Sequence, residues 1–209
     1  MAKSIKHETK RAVRTKIICQ ENETKVEPTL QSSEVVEFDG SFARGRRLVL
    51  TRYNDNDLIH VREYVEEEGR EYPTKAGVCF TPARLKAFCR RVEEIDEQLR
   101  QRSATASYKV DQGEVTYKTH IGAGIYASVS SKLNGVDLRR FWVPPGQLTI
   151  VPTKNGIYLP TFQWRAQKLK LDELIRIHPE LAAAEECFHQ NQMDIIDCRE
   201  CMPFGLICI

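Results

Sequence analysis

The sequence lacks the features that identify membrane proteins and the common enzyme classes. Its longest apolar stretches fall well short of the roughly 20 residues that a membrane helix requires, although 41% of its 209 residues are hydrophobic. It has no Gly-rich phosphate loop, no nucleophile elbow and no paired-histidine signature. Its carboxylates lie mainly in charged runs such as Glu66-Glu67-Glu68. We therefore predict a soluble protein with no membrane partner, no cofactor and no catalytic residues.

The lysine-rich N-terminus also lacks the apolar segment of a secretory signal, which predicts a nuclear or cytosolic protein. Its seven cysteines are then expected to be reduced, because disulfides are rare in those compartments. Cys79 and Cys89 are interpreted as small buried hydrophobic residues.

Four potential metal ligands lie close together near the C-terminus: Cys187, His189, Cys198 and Cys201. The last two form a Cys-x-x-Cys pair with zinc-ligand spacing. The complete arrangement is not a common one, so no metal is predicted. The favoured interpretation of residues 178–209 is an acidic cysteine-rich tail whose apolar end, "FGLICI", docks on the domains or on a partner.

Charge is segregated along the chain, although its net value is only +2. Residues 117–177 hold nine Lys and Arg against three Asp and Glu, whereas residues 178–209 hold one against six. A basic block within a folded region favours a polyanionic partner, and a merely solvated face is the alternative. Residues 1–33 are polar and basic, which predicts a flexible tail. The favoured interpretation is an ordinary disordered tail. The alternative is that its basic run is a nuclear localisation signal or a non-specific phosphate-binding segment.

Hydrophobic periodicity divides residues 34–102 into strands followed by a helix. "RLVLTRYNDNDLIHVREYV" predicts two antiparallel strands around an Asn-Asp turn. A further short strand is predicted from Val78 to Phe80. Thr81 is a suitable N-cap, and Pro82 fits the first turn of a helix. An apolar stripe at steps of three or four residues carries this helix to about Arg102.

The same order of elements returns after a polar linker at residues 103–116. "GIYASVSSKLNGVDLRRFWV" predicts two strands around an Asn-Gly turn, and "WRAQKLKLDELIRI" predicts a second helix. Arg62 corresponds to Arg139, and Gly77 to Gly156. The chain is therefore interpreted as two copies of one unit, residues 34–102 and 117–177.

The unit resembles the C-terminal domain of positive cofactor four, a transcriptional coactivator that binds single-stranded DNA. The resemblance rests on "LIHVREYV", "KAGVCFTPARL" and "FCRRVEEID" in the first copy, and on "HIGAGIYASVS", "VDLRRFW" and "KNGIYLP" in the second. It implies an α+β fold in which each copy is a four-stranded curved antiparallel sheet followed by a long helix. It also implies a nuclear, non-catalytic coactivator of RNA polymerase II transcription. The implied partners are single-stranded DNA, with melted or double-stranded DNA as a further candidate, and the transcription machinery.

Family units pair through their helices and sheets, so the two copies here are expected to form an intramolecular pseudo-dimer. A dimer of tandem chains is the alternative. The residues expected at the helix pairing are Leu85, Phe88, Val92, Ile95, Trp164, Leu171 and Leu174.

The resemblance also indicates where DNA would bind, because single strands are held by cations along the backbone and by stacked aromatics. The candidates are Arg44, Arg46, Arg47, Arg52, Tyr53, Arg62 and Lys75 in the first copy and Lys132, Arg139, Trp142 and Lys154 in the second. The hairpin lysines of the family are replaced by Asn54 and Asn56, and its tryptophan by Val65. Tyr53 and Trp142 could instead pack in the core, and Arg62 could pair with a glutamate. The alternative function is a protein-interaction scaffold that no longer binds nucleic acid.

Overall fold

The computed structural model describes residues 35–105, 115–130, 134–186, 200–201 and 203–204, all within one compact unit, Ser32–Ile209. The expected basic tail, most of the expected linker, and Lys132, Cys187, His189 and Cys198 lie outside the described residues. None of the described helices is long and apolar enough to span a lipid bilayer.

Two successive sets of four strands and a helix make up the fold. The first set is β1 (Val35–Ala43), β2 (Arg46–Tyr53), β3 (Asn56–Glu67), β4 (Arg70–Phe80) and α1 (Pro82–Thr105). The second set is β5 (Val115–Gly122), β6 (Ile125–Ser130), β7 (Gly135–Trp142), β8 (Val151–Pro160) and α2 (Thr161–Ile177). A short helix, α3 (Glu180–Ala183), follows. Each sheet has its strands in sequence order and antiparallel, which confirms the predicted α+β architecture.

Two-residue turns determine the hairpins of the first sheet. Asn54 and Asp55 both have positive φ, 48° and 58°, as expected of a tight hairpin turn whose twist matches the strands. Glu68 and Gly69 form a second such turn, with φ of 52° and 75°. Strand β4 therefore begins at Arg70, well before the short strand expected from Val78. The sequence does not predict the polar first part of β4, because polar and apolar residues do not alternate there.

Both helices pack against a single hydrophobic core that contains residues of both sheets. Phe88 of α1 stacks on Phe80 with ring centroids 5.3 Å apart and meets Trp164 of α2 edge to face at 5.8 Å. Trp164 Nε1 donates a hydrogen bond to Asp96 Oδ1 of α1 at 2.6 Å. Six of the seven expected pairing residues are buried and one, Val92, is partly buried.

Each helix contacts the other set's sheet. Helix α1 contacts β5 and β6, and helix α2 contacts β1 and β2. The edge strands β4 and β8 also contact each other. Since neither sheet is covered by its own helix alone, the apolar faces of both sheets are buried only when both sets are folded.

The segment after α2 docks on α1 instead of leaving the fold. Leu181 is buried, Lys86 Nζ donates a hydrogen bond to the carbonyl of Ala184 at 2.9 Å, and Arg90 forms an ion pair of 2.6 Å with the buried Glu186. These contacts make residues 178–186 part of the folded unit.

A second piece of this C-terminal region returns to the first turn of α1. Arg84 pairs with both carboxylate oxygens of Glu200, and the Ala123 N–H donates to the Glu200 carbonyl at 2.9 Å. Phe204 lies against Gly124, where an added Cβ would come within 3.0 Å of its ring. Glu200 is thus bonded through its side chain to Arg84 of α1 and through its backbone to the β5–β6 turn.

Cys89 of α1 is partly buried against the core, and we expect it to react slowly with thiol reagents. Burial raises its pKa to about 11, and the nearby Asp172 adds to the shift. The reactive thiolate at pH 8 would then be on the order of 100-fold less abundant than for an ordinary cysteine. Iodoacetamide labelling read by peptide mass spectrometry should give slow modification of Cys89 in folded protein and fast modification in denatured protein. Equal rates in the two states would contradict this expectation.

Candidate nucleic-acid interface

The alternation of side chains along each strand separates a helix-facing side from an opposite side, here called the outer face. In β2, Leu48 and Leu50 are fully buried toward the helices. Arg46 and Arg52, at the same parity, lie on the helix-facing side, whereas Arg47 lies on the outer face. The candidate arginines of β2 are therefore divided between two sides of the sheet.

A matched arginine–glycine pair lies on the outer face of each sheet. Arg62 is opposite Gly77 in the β3–β4 ladder, and Arg139 is opposite Gly156 in the β7–β8 ladder. A Cβ at Gly77 would lie 2.9 Å from Arg62 Cα, and one at Gly156 would lie 2.8 Å from Arg139 Cγ. Glycine is needed at both positions because any side chain would collide with the arginine or its strand.

A matched bulge follows each pair toward the hairpin end. Thr74 Oγ1 donates to the carbonyl of Glu63 at 3.0 Å and accepts from the Ala76 N–H at 3.1 Å. Thr153 makes the equivalent two bonds, at 2.7 and 3.1 Å. The lysine after each threonine is exposed: Lys75 and Lys154. The repeated tripeptide Pro-Thr-Lys is the sequence signal for this bulge.

A cleft of about 690 Å³ lies between the β3–β4 side of the first sheet and the second set of strands. Its four cationic lining residues are Arg62, Lys75, Arg84 and Arg140. Within the described part of the chain, no Asp or Glu lines it. Arg84 is paired with Glu200, so Arg62, Lys75 and Arg140 account for most of the available positive charge. Such a cleft can accept a phosphodiester backbone.

Residues 43–90 match the family model described as Transcriptional Coactivator p15 (PC4). The matched segment contains β2 to β4 and the first turns of α1, and with them Arg62, Lys75 and Gly77. The match supports a DNA-binding fold with a role in transcription coactivation, in a family that is not enzymatic. The searches of curated proteins and of solved structures gave no match.

Arg62 and Arg139 differ in their hydrogen bonds despite their equivalent positions in the two sheets. Arg139 donates through Nε and Nη2 to the two carboxylate oxygens of Asp137, at 2.8 and 2.9 Å, and through Nη1 to the Thr153 carbonyl at 2.9 Å. The hydrogen bond and charge of Asp137 raise the pKa of Arg139. The Nε of Arg62 is buried and has no hydrogen-bond partner among the described residues. The Nε–H of Arg62 is therefore unused, whereas the Nε–H of Arg139 is bonded to Asp137.

Arg46, in the first set of strands, donates hydrogen bonds to residues of the second set. Its Nη1 donates to the Tyr158 carbonyl at 2.7 Å and to Gln163 Oε1, and its Nη2 lies 3.8 Å from Glu63. Because it lies on the helix-facing side and connects β2 to β8 and α2, we exclude it from the interface proposed below.

Arg47 lies on the outer face but is already neutralised. It pairs with Asp39 at 2.6 Å and with Glu71, and its guanidinium lies over the Tyr64 ring at 5.2 Å. Two carboxylates on one guanidinium leave little positive potential for a phosphate.

Arg52 and Arg44 lie at opposite ends of β2. Arg52 pairs with Asp57 at 2.9 Å and with Glu37 at 3.6 Å, whereas Arg44 is exposed in the β1–β2 turn. Of these two, Arg44 is the better placed to meet an approaching polyanion.

Three exposed aromatics on the described strands offer stacking surfaces. Tyr53 is 42% exposed and Trp142 is 46% exposed, so neither is a core residue. Tyr72, which sequence reasoning missed, is 45% exposed and pairs with Val65 across the β3–β4 arm. In the other arm, Trp142 pairs with Val151. The first sheet therefore has Val65 where the family has tryptophan, and the exposed aromatic lies on its cross-strand neighbour Tyr72. Pairing residues outward from the Glu68-Gly69 turn in the sequence would reveal this neighbour.

Proposed function

We propose that this protein is a nuclear, non-catalytic coactivator of RNA polymerase II transcription that binds single-stranded DNA. The observation that carries the proposal is the cleft in which Arg62, Lys75 and Arg140 converge with no carboxylate among the described lining residues. Its direct partners would be single-stranded or melted DNA and the transcription machinery.

The exposed aromatics favour a single strand over a duplex. Bases stack on tyrosine and tryptophan only when they are unpaired, and each stacked base contributes about 1–3 kcal/mol. Tyr53, Tyr72 and Trp142 are each between 42% and 46% exposed, while the basic cleft would hold the sugar-phosphate backbone. Little sequence preference is expected from such contacts.

The proposal includes a tandem duplicate that works as an intramolecular pseudo-dimer, made of residues 34–102 and 117–177. It is supported by the Phe88–Trp164 contact, the Trp164–Asp96 hydrogen bond and the reciprocal packing of each helix on the other sheet. Size-exclusion chromatography with light scattering should then give the monomer mass of 24.0 kDa. Twice this mass would favour a dimer of tandem chains.

Fluorescence anisotropy with labelled oligothymidine tests the DNA-binding function. We expect binding at low salt whose affinity falls steeply with added salt, since cations released from phosphates drive the association. Unlabelled duplex DNA and RNA serve as competitors that measure the preference for single strands. Absence of binding at low salt would instead favour a protein-interaction scaffold, a function compatible with the internal pairing of Arg46, Arg47, Arg52 and Arg139.

A further inference from the structure

The two outer faces carry the same arginine–glycine pair but a different residue two positions before the arginine. In β7 this residue is Asp137, opposite Tyr158, and in β3 it is His60, opposite Cys79. His60 Nε2 lies 3.3 Å from Thr51 Oγ1. The first sheet therefore has an imidazole at the place where the second has a carboxylate.

Asp137 holds Arg139 in the geometry with which a guanidinium binds a phosphate. Two parallel N–H···O bonds of 2.8 and 2.9 Å join the two side chains, the bidentate arrangement that arginine makes with carboxylates and phosphates alike. The Thr153 carbonyl accepts a further N–H. A nucleic-acid phosphate could bind this Nε and Nη2 edge of the guanidinium only by displacing the carboxylate.

Arg62, in contrast, has no carboxylate bonded to its Nε among the described residues. Its Nε is buried without a hydrogen-bond partner in the described structure, and the cleft that it lines has no acidic residue among its described lining. A buried donor of this kind gains a bond when an acceptor arrives. Among the described residues, the arginine at this backbone position has an unpaired Nε in the first sheet and is paired with a carboxylate in the second.

We propose that Asp137 acts as an internal substitute for a phosphate, which closes the arginine site of the second sheet and leaves Arg62 as the one arginine site of this pair that binds the strand. This inference rests on the proposed single-stranded-DNA binding. It assigns Asp137 a role in deciding which of the two sheets binds DNA. The carboxylate makes two otherwise equivalent outer faces different, so that one strand of DNA binds on the side of the first sheet.

Binding of labelled oligothymidine to full-length variants tests the proposal. Asp137→Asn keeps the shape of the side chain and removes its charge. We expect it to bind several-fold more tightly, with a salt slope steeper by about 0.7, the value of one additional phosphate contact on a single strand. Asp172→Asn, on the exposed side of α2, is the control for the general effect of removing a negative charge. The gain should disappear in Asp137→Asn combined with Arg139→Ala.

Two further variants test the asymmetry without altering Asp137. Arg139→Ala alone should leave affinity within about twofold of the original protein, because a phosphate contact contributes to the salt slope only where it is made. His60→Asp introduces the carboxylate beside Arg62 and should weaken binding as Arg62→Ala does. Circular dichroism melting curves of each variant would test whether it is folded.

The outcomes separate this inference from the proposed function. If the original protein binds but Arg139→Ala weakens it as much as Arg62→Ala, or if Asp137→Asn gains no more than Asp172→Asn, the phosphate-substitute role is wrong and DNA binding stands. If neither the original protein nor Asp137→Asn binds at low salt, the proposed function itself fails.

Discussion

Replacing Arg62, Lys75 and Arg140 together by alanine is expected to weaken binding of oligothymidine roughly 10- to 100-fold at low salt. Each partly exposed ion pair with a phosphate contributes about 0.5–1 kcal/mol, and 1.4 kcal/mol corresponds to a factor of ten in affinity. All three side chains line the cleft between the two sets of strands. Their loss should therefore remove the main site for the DNA backbone.

The salt dependence gives a second, independent measure of the same change. About 0.7 of slope is lost for each phosphate contact removed from a single strand, so the triple variant should have a slope shallower by about 2. Anisotropy titrations at several salt concentrations measure both quantities.

Arg100→Ala provides the matched control for this experiment. Arg100 is exposed and pairs with Glu97, about 24 Å along α1 from Arg84 at the rise of an α-helix. Its loss removes positive charge without touching the cleft. An unchanged slope in the triple variant, or an equal loss with Arg100→Ala, would exclude the cleft as the backbone site.

Replacing Trp164 by alanine is expected to destabilise the protein by about 3–5 kcal/mol, the usual cost of deleting a large buried aromatic. Trp164 is fully buried, meets Phe88 edge to face and bonds to Asp96. For a protein of this size, such a loss corresponds to a fall in Tm of roughly 6 to 20 °C.

The way in which this variant unfolds is as informative as its Tm. Because α1 and α2 each cover the other set's sheet, both sheets should unfold in one transition. Far-UV circular dichroism follows the whole chain, and the fluorescence of Trp142 reports on the second sheet alone. Phe162→Ala, at a position that is 69% exposed on the same helix, should change stability by no more than about 0.5 kcal/mol. Two separated transitions would contradict the shared core.

Local sequence patterns predict the elements of this fold well, because those patterns report on burial within a single segment. The stripe that includes Leu85, Phe88 and Ile95 predicts α1, and the Asn54-Asp55 turn predicts the β2–β3 hairpin. The correspondence of Arg62 with Arg139 is visible by direct comparison of the two halves. The structure places both residues opposite glycine, as this correspondence requires.

The candidate site is less predictable, because the environment of an arginine depends on residues far away in the chain. The two hydrogen-bond partners of Arg46 lie more than 110 positions further along. The ion-pair partners of Arg47 come from β1 and from β4, which is not adjacent to β2 in the sheet. Residue type alone gives four equivalent cations in and beside β2. Only the fold separates those already paired from Arg62, which lines the cleft and whose buried Nε has no hydrogen-bond partner among the described residues.

The docking of residues 178–186 on α1 changes where the autonomous folding unit ends. A shortened chain that stops at Ile177, the last residue of α2, would contain both sheets and both helices. It would nevertheless lose Leu181 from the core and leave Arg90 without Glu186, the ion pair that now fastens the segment. It would also remove part of the cover over Cys89, because Leu181 and Cys89 line the same small cavity. We therefore expect a chain that ends at Ile177 to be less stable than one that extends through Glu186.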